Sequence, residues 1–186
     1  QKGDSTFTLA WVLDSTATAM GSRLLRRWLN RPLRDHSVLA QRQNLIGQCL
    51  QHYATDDLQQ SLKRVGDVER ILSRVALGSA RPRDLARLRD ALTVVPDIRA
   101  QLDRLDSPLA LDIRERAPEF PHWVERLTQA IIENPPAVIR DGGVIATGYD
   151  TELDELRALS ENAGDYLVEM EEREKERTGI PTLKVG

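Results

Sequence analysis

Cysteine is almost missing from this sequence, with Cys49 the only one in 186 residues. A single thiol excludes an intramolecular disulfide and a cysteine-rich metal site, and it fits a reducing compartment, so the cytosol is the expected location. Aromatic residues are scarce as well, at 4% against 30% charged. With Leu, Ala, Glu and Arg prominent, that balance suits long helices better than a sandwich or barrel. An excess of one charge is also lacking. The formal net charge of -3 gives the whole chain no electrostatic reason to cling to DNA, RNA or an anionic membrane, so any basic patch is local. No apolar run approaches the roughly 20 residues that cross a bilayer. The polar start, Gln1 to Thr6, has no signal-peptide core. A soluble protein is expected.

What is present is helical periodicity broken by proline and glycine, on a chain long enough for one domain or at most two small ones. Residues up to Leu13 show no periodicity and read as an extended lead-in. The first convincing helix starts at Ala19 with Thr18 as N-cap, carries Met20, Leu24, Leu25, Trp28 and Leu29 on one stripe, and stops at Pro32. Asp35 caps a second helix with Leu39, Ile46, Cys49, Leu50 and Tyr53 on one side. Asp56 or Asp57 opens a third, with Leu58 and Leu62, that Gly66 interrupts. Val68, Leu72 and Val75 continue helical spacing to Gly78, and Ala80 to Asp84 form a turn with Pro82 at a helix start. The next stripe is Leu85, Leu88, Leu92, Val95 and Leu102, with a kink or break at Pro96. Pro108, Pro118 and Pro121 bracket short pieces. Trp123, Leu127 and Ile131 support a helix closed by Asn134-Pro135-Pro136, and a loop or short extended segment runs from Ala137 to Tyr149.

From Asp150 to Thr178 only Gly164 interrupts the helical pattern, which predicts a rod on the order of 40 Å long, projecting from the body, at about 1.5 Å per residue. Its apolar positions follow a heptad: Leu153, Leu156, Ala163, Leu167 and Met170, with Ser160 at the weak position. Such a seam requires a partner. Glu169 to Arg177 is charged everywhere except Met170 and reads as solvated surface. Gly179 and Pro181 end the helix, and Thr182-Leu183-Lys184-Val185 reads as the beginning of a strand.

Signatures of catalysis are few, and each has a simpler explanation. Asp141-Gly142-Gly143 lacks the Gly-Lys-Ser/Thr end that holds a phosphate and magnesium, so it reads as a turn. His36, His52 and His122 are not at metal-binding spacings and lie near helix ends, which suits surface or capping roles. Ser15, Ser22 and Cys49 lack a nucleophile motif, and Cys49 reads as a small buried apolar residue. No catalytic, cofactor-binding or metal-ligating residue is assigned. The row Arg23, Arg27, Arg31 and Arg34, spaced by threes and fours, lies on one side of the first helix and its exit. It can meet phosphates, although a solvated face or local salt bridges weigh more in a negative chain, and direct DNA binding is expected to be weak.

Four ordered blocks carry a family resemblance. They are Leu13-Asp14-Ser15-Thr16-Ala17-Thr18-Ala19-Met20-Gly21-Ser22-Arg23-Leu24-Leu25-Arg26-Arg27-Trp28-Leu29 with Pro32-Leu33; Val65-Gly66-Asp67-Val68-Glu69-Arg70-Ile71-Leu72; Ile139-Arg140-Asp141-Gly142-Gly143-Val144-Ile145 with Tyr149; and Lys175-Glu176-Arg177-Thr178-Gly179 leading to Leu183-Lys184-Val185-Gly186. Together they resemble the MutS mismatch-repair family from about Thr8 onward, nearer to bacterial MutS than to its distant relatives. Trp11, Cys49 and Ile180-Pro181 depart from its pattern. The resemblance implies an all-α core and lever fragment: 1–13 as the lead-in from a preceding connector region, 14–149 as a helical core, 150–179 as a long lever helix and 180–186 as the start of a clamp. It implies a non-catalytic scaffold that couples an ATPase domain to a DNA clamp. In the full-length family protein it also implies ATP and magnesium at a P-loop domain, mismatched double-stranded DNA, a second MutS subunit and a MutL-type partner. Covering Leu153, Leu156, Leu167 and Met170 would contribute up to roughly 6 to 12 kcal/mol. The competing expectation is a free-standing helical adaptor that binds a partner helix through the seam of 153–170.

Overall fold

The computed structural model describes residues 7–182, apart from the side chains at 163, 165 and 166. Among the described residues the architecture is all-helical. The helices are α1 (Leu9–Leu13), α2 (Ala19–Asn30), α3 (His36–Gln51), α4 (Thr55–Val65), α5 (Val68–Ala76), α6 (Pro82–Thr93), α7 (Val95–Leu102), α8 (Pro108–Arg116), α9 (Pro121–Ala130), α10 (Thr151–Glu161) and α11 (Ala163–Thr178), with one 3-10 turn at Ile139–Asp141. The chain divides into two compact units, Gln1–Val144 and Ile145–Gly186.

Local chemistry sets most borders. The Thr18 hydroxyl accepts from Gly21 N at 2.9 Å at the start of α2. Asp35 does the same for Ser37 N and Val38 N at the start of α3. Gly66 ends α4 in the left-handed region at φ 68, where a side chain would be strained. Pro82, Pro96, Pro108 and Pro121 all stand in first turns, where the missing N–H has no intrahelical use. The first border departs from the reading above: Leu9–Leu13 is a short helix and not an extended lead-in, because the Thr8 hydroxyl caps it by accepting from Trp11 N.

In the first unit α6 is the hub, packed on α9, α4, α5 and α7. Its buried residues are Pro82, Asp84, Ala86, Arg89 and Ala91, so the inner positions are small or polar, while the expected stripe of Leu85, Leu88 and Leu92 is only half-buried. Small residues let neighbouring helices approach, and the leucines fill the flanks. A smaller apolar cluster joins Leu102, Leu105 and Ala110, with Leu45, Cys49, Ala54, Leu58 and Ile98 packed against it. Two expected stripes are therefore rotated. On α5 Ile71 is buried while Leu72 and Val75 are exposed, and on α3 Leu45 packs inward while Ile46, Leu50 and, just beyond the helix, Tyr53 face outward.

Arginines take over where apolar bulk is thin. Arg89, almost wholly buried, donates to the carbonyls of Ile131 at 3.2 Å, Ile132 at 3.4 Å and Glu133 at 3.2 Å, meeting carbonyls left open at and just past the end of α9. Arg99 donates to Arg114 O at 2.6 Å and Ala117 O at 2.7 Å at the end of α8. Arg74 makes a two-pronged pair with the buried Asp84 at 2.8 and 2.6 Å, and Asp84 also accepts from Arg81 N at 3.0 Å, closing the first turn of α6.

In the second unit, Asp150 caps α10 by accepting from Leu153 N at 2.9 Å. Asp154 accepts from Gly148 N at 2.6 Å, and Arg157 donates to Ile145 O at 2.9 Å, so the preceding loop is tied to the first turns of α10. The helical pattern breaks at Asn162 (φ -92, ψ 5), two residues before Gly164; asparagine and glycine close together remove the local helix preference that holds the stretch in line. Gly179, left-handed at φ 69, donates to Lys175 O at 2.9 Å and ends α11. The expected strand over Thr182 to Val185 lies outside the described residues from 183 onward.

Replacing Arg89 tests the hub. Arg89→Ala should cost about 2 to 4 kcal/mol, because it takes the donor from the buried Ile131 carbonyl and from two part-buried ones, and Arg89→Lys should recover only part of that. Urea unfolding followed by helicity reads both.

Candidate functional site

The first two sequence blocks meet in the fold. Asp14, before α2, accepts from the Ser22 hydroxyl and from the Thr16 hydroxyl at 2.6 Å, and these bonds hold its carboxyl below the usual carboxylate range. One residue after Ser22, Arg23 extends to the start of α5, where it donates to both oxygens of Asp67, at 2.9 and 2.7 Å, and to Glu69 at 2.6 Å. The Asp67 carboxyl is held low by that guanidinium. A side-chain amide adds a tie, Gln59 Nε2 donating to Ser15 O at 3.1 Å. Gly21 packs tightly in the cap: a Cβ there would sit 3.1 Å from the Thr18 hydroxyl and 3.3 Å from Thr16 Cβ.

Beside this network runs a groove of about 500 Å³ lined by Ser15 to Thr18, Gly21, and apolar side chains of α3 and α4 that include Leu45, Cys49 and Leu58. Its one thiol, Cys49, is pushed up by burial, so it stays protonated at neutral pH. The groove offers hydroxyls and leucines, a surface for packing.

The other sequence candidates are dispersed. Of the basic row, Arg23 is consumed by its two carboxylates, whereas Arg27, Arg31 and Arg34 are exposed. His36, His52 and His122 are all exposed, at the first turn of α3, at its C-cap and in the first turn of α9. Asp141, Gly142 and Gly143 form the predicted turn, with both glycines at positive φ. Among the described residues no cluster of three or more His, Cys, Asp or Glu is placed to hold a metal ion, and no helix is long and apolar enough to cross a membrane. Along α10 and α11, Leu156 is 56%, Leu167 47% and Met170 40% exposed, and Leu153 is half-buried. Leu159 and Val168, outside the heptad reading, are exposed as well. The Ala163 seam position lies outside the described side chains.

Sequence reasoning missed Asp14, Asp67 and Glu69, the residues that lock the first block to the second. Asp14 opens a run of hydroxyl residues and Asp67 follows a helix-ending glycine, signals of capping that gave no pairing partner.

Fold and site together define an all-helical domain in which the first two sequence blocks lock α2 onto the start of α5. The family model of MutS domain III matches residues 1–176, and the chain belongs to that family, placing it in a MutS-type DNA mismatch-repair protein.

Two measurements test the network. Gly21→Ala should lower stability by about 1 kcal/mol in thermal or urea unfolding, since crowding of the Thr18 cap outweighs the gain in helix propensity. The carboxyls of Asp67 and Asp84 titrate below their ordinary value of 3.8 in the folded chain. Their contribution is therefore whole above that pH and is lost as pH falls through the lower, folded-state values. Asp84→Asn should flatten that acid loss more than Asp67→Asn, because the Asp84 side chain is 9% exposed and that of Asp67 21%.

Proposed function

We infer that this domain is a non-catalytic coupling element, the core and lever through which a MutS-type protein links ATP binding in one domain to clamping of mismatched double-stranded DNA by another. The observation that carries the reading is the uncovered apolar edge of α10 and α11. Leu156, Leu167 and Met170 stay 40% or more exposed on a helical stretch whose first turns are anchored by Asp150, Asp154 and Arg157. Anchored first turns in α10, followed by exposed apolar residues on both α10 and α11, suit a segment that packs along a second helix and moves with it. In this reading ATP and magnesium are bound by a P-loop domain elsewhere in the full-length protein. A second MutS subunit and a MutL-type partner engage the assembly and not this domain alone.

The test uses the full-length protein that carries this domain, with Leu156→Glu and Leu167→Glu combined. Nucleotide-free binding to a mismatched duplex and basal ATP hydrolysis should stay within about twofold of wild type. ATP-triggered release from the mismatch should slow by about tenfold or more, as expected when over 1.4 kcal/mol of helix pairing is lost. Release at the wild-type rate would sink the coupling role.

A further inference from the structure

The arginines at the C-terminal end of α2 form a second feature, independent of the α10 and α11 edge. From Ser15 to Arg34 the chain holds five arginines and no carboxylate. The carboxylates that flank or meet this stretch are already committed. Asp14 accepts from Ser22 and Thr16, Asp35 caps α3, and Asp67 and Glu69 hold Arg23. Among the described residues no carboxylate stands within ion-pair distance of Arg27, Arg31 or Arg34, all of which are exposed. A further cation is set beside them: the Arg42 guanidinium lies 3.7 Å over the ring of Trp28. Stacking of that kind leaves the guanidinium edge free to donate.

The α2 dipole favours a cation at Arg27 and Arg31, in its last turn and at its C-cap. It gives no reason for Arg34, which lies beyond the helix, or for Arg42 on α3. A chain of net charge -3 that collects unpaired arginines at one end of one helix has a local anion-binding face. We propose that Arg27, Arg31 and Arg34, with Arg42 stacked on Trp28, form a contact surface for the phosphate backbone of duplex DNA, independent of base sequence. Duplex DNA is favoured over an acidic protein surface on two grounds. The chain belongs to a DNA mismatch-repair family, and the planar guanidinium fork donates paired hydrogen bonds to phosphate oxygens. The contact does not depend on the coupling role, and either can fail alone.

The experiment measures fluorescence anisotropy of a labelled, fully paired duplex titrated with the 186-residue chain across a salt series. Helicity and Tm are recorded for every variant. Wild type should bind weakly at about 50 mM salt, with log K falling linearly in log salt. The triple variant Arg27→Gln, Arg31→Gln, Arg34→Gln should lose roughly 2.7 units of that slope, at about 0.9 per phosphate contact, while helicity is unchanged. The charge-matched triple Arg104→Gln, Arg126→Gln, Arg140→Gln should leave the slope as in wild type. The proposal is overturned by absence of binding at about 50 mM salt, by equal slopes for the two triples, or by polyglutamate of matched charge competing as well as unlabelled duplex. The last result would assign the face to an acidic protein.

Discussion

The first unit depends on a charged group held by neutral ones: the Arg89 guanidinium against the carbonyls of Ile131, Ile132 and Glu133. Among the described residues Val94 is the one large side chain at full burial, so packing of bulky apolar groups is a thin basis for holding short helices in register. Arg89 replaces bulk with geometry. Planar and five-donor, it spans successive carbonyls at the end of α9 that no apolar residue could satisfy, and so it fixes α9 on α6. The cost of removing the charge from water is offset only because several acceptors converge on it. Arg99 at the end of α8 and Arg74 on Asp84 repeat the solution with different acceptors. A chain rich in arginine and poor in aromatics is thus able to build a defined bundle.

This explains why the order of helices was legible in the sequence while their inner faces were less so. Caps and breakers act within a few residues, and Thr18, Asp35, Gly66 and the first-turn prolines placed their borders from local chemistry alone. Which face turns inward is decided by neighbours distant in sequence. On α6, which packs on α9, α4 and α5, the buried positions include Ala86, Arg89 and Ala91, and a reading that assigns the interior to the largest apolar residues selects the flanks. Ile71 displaces Leu72 and Val75 for a related reason: the side of α5 that packs on α6 is set by the fold and not by the apolar spacing of α5 itself.

The lock between the first two blocks shows the same limit from the side of function. Arg23 stood out as the first member of a basic row, yet its partners Asp67 and Glu69 lie more than forty residues away, and nothing in the spacing of the row distinguishes it from Arg27. Only the fold divides the row into one arginine that joins helices and others that face outward. The order of the four blocks identified the family because blocks are compared whole, without any need to know which side chains meet.

Stiffness at one place and exposure at another have a common origin in this molecule. Among the described residues each carboxylate near α2 is used to close a turn or to join two helices, and that use leaves Arg27, Arg31 and Arg34 without counter-charges. Likewise, Asp150, Asp154 and Arg157 hold the first turns of α10 through hydrogen bonds, while Leu156 and Leu159 stay exposed. Ionic and hydrogen-bonded joints are directional, and they tolerate little relative movement before they break. An element held by them moves as a body, and the cationic and apolar surfaces that remain uncovered are those a neighbour can engage without loosening the joints beneath.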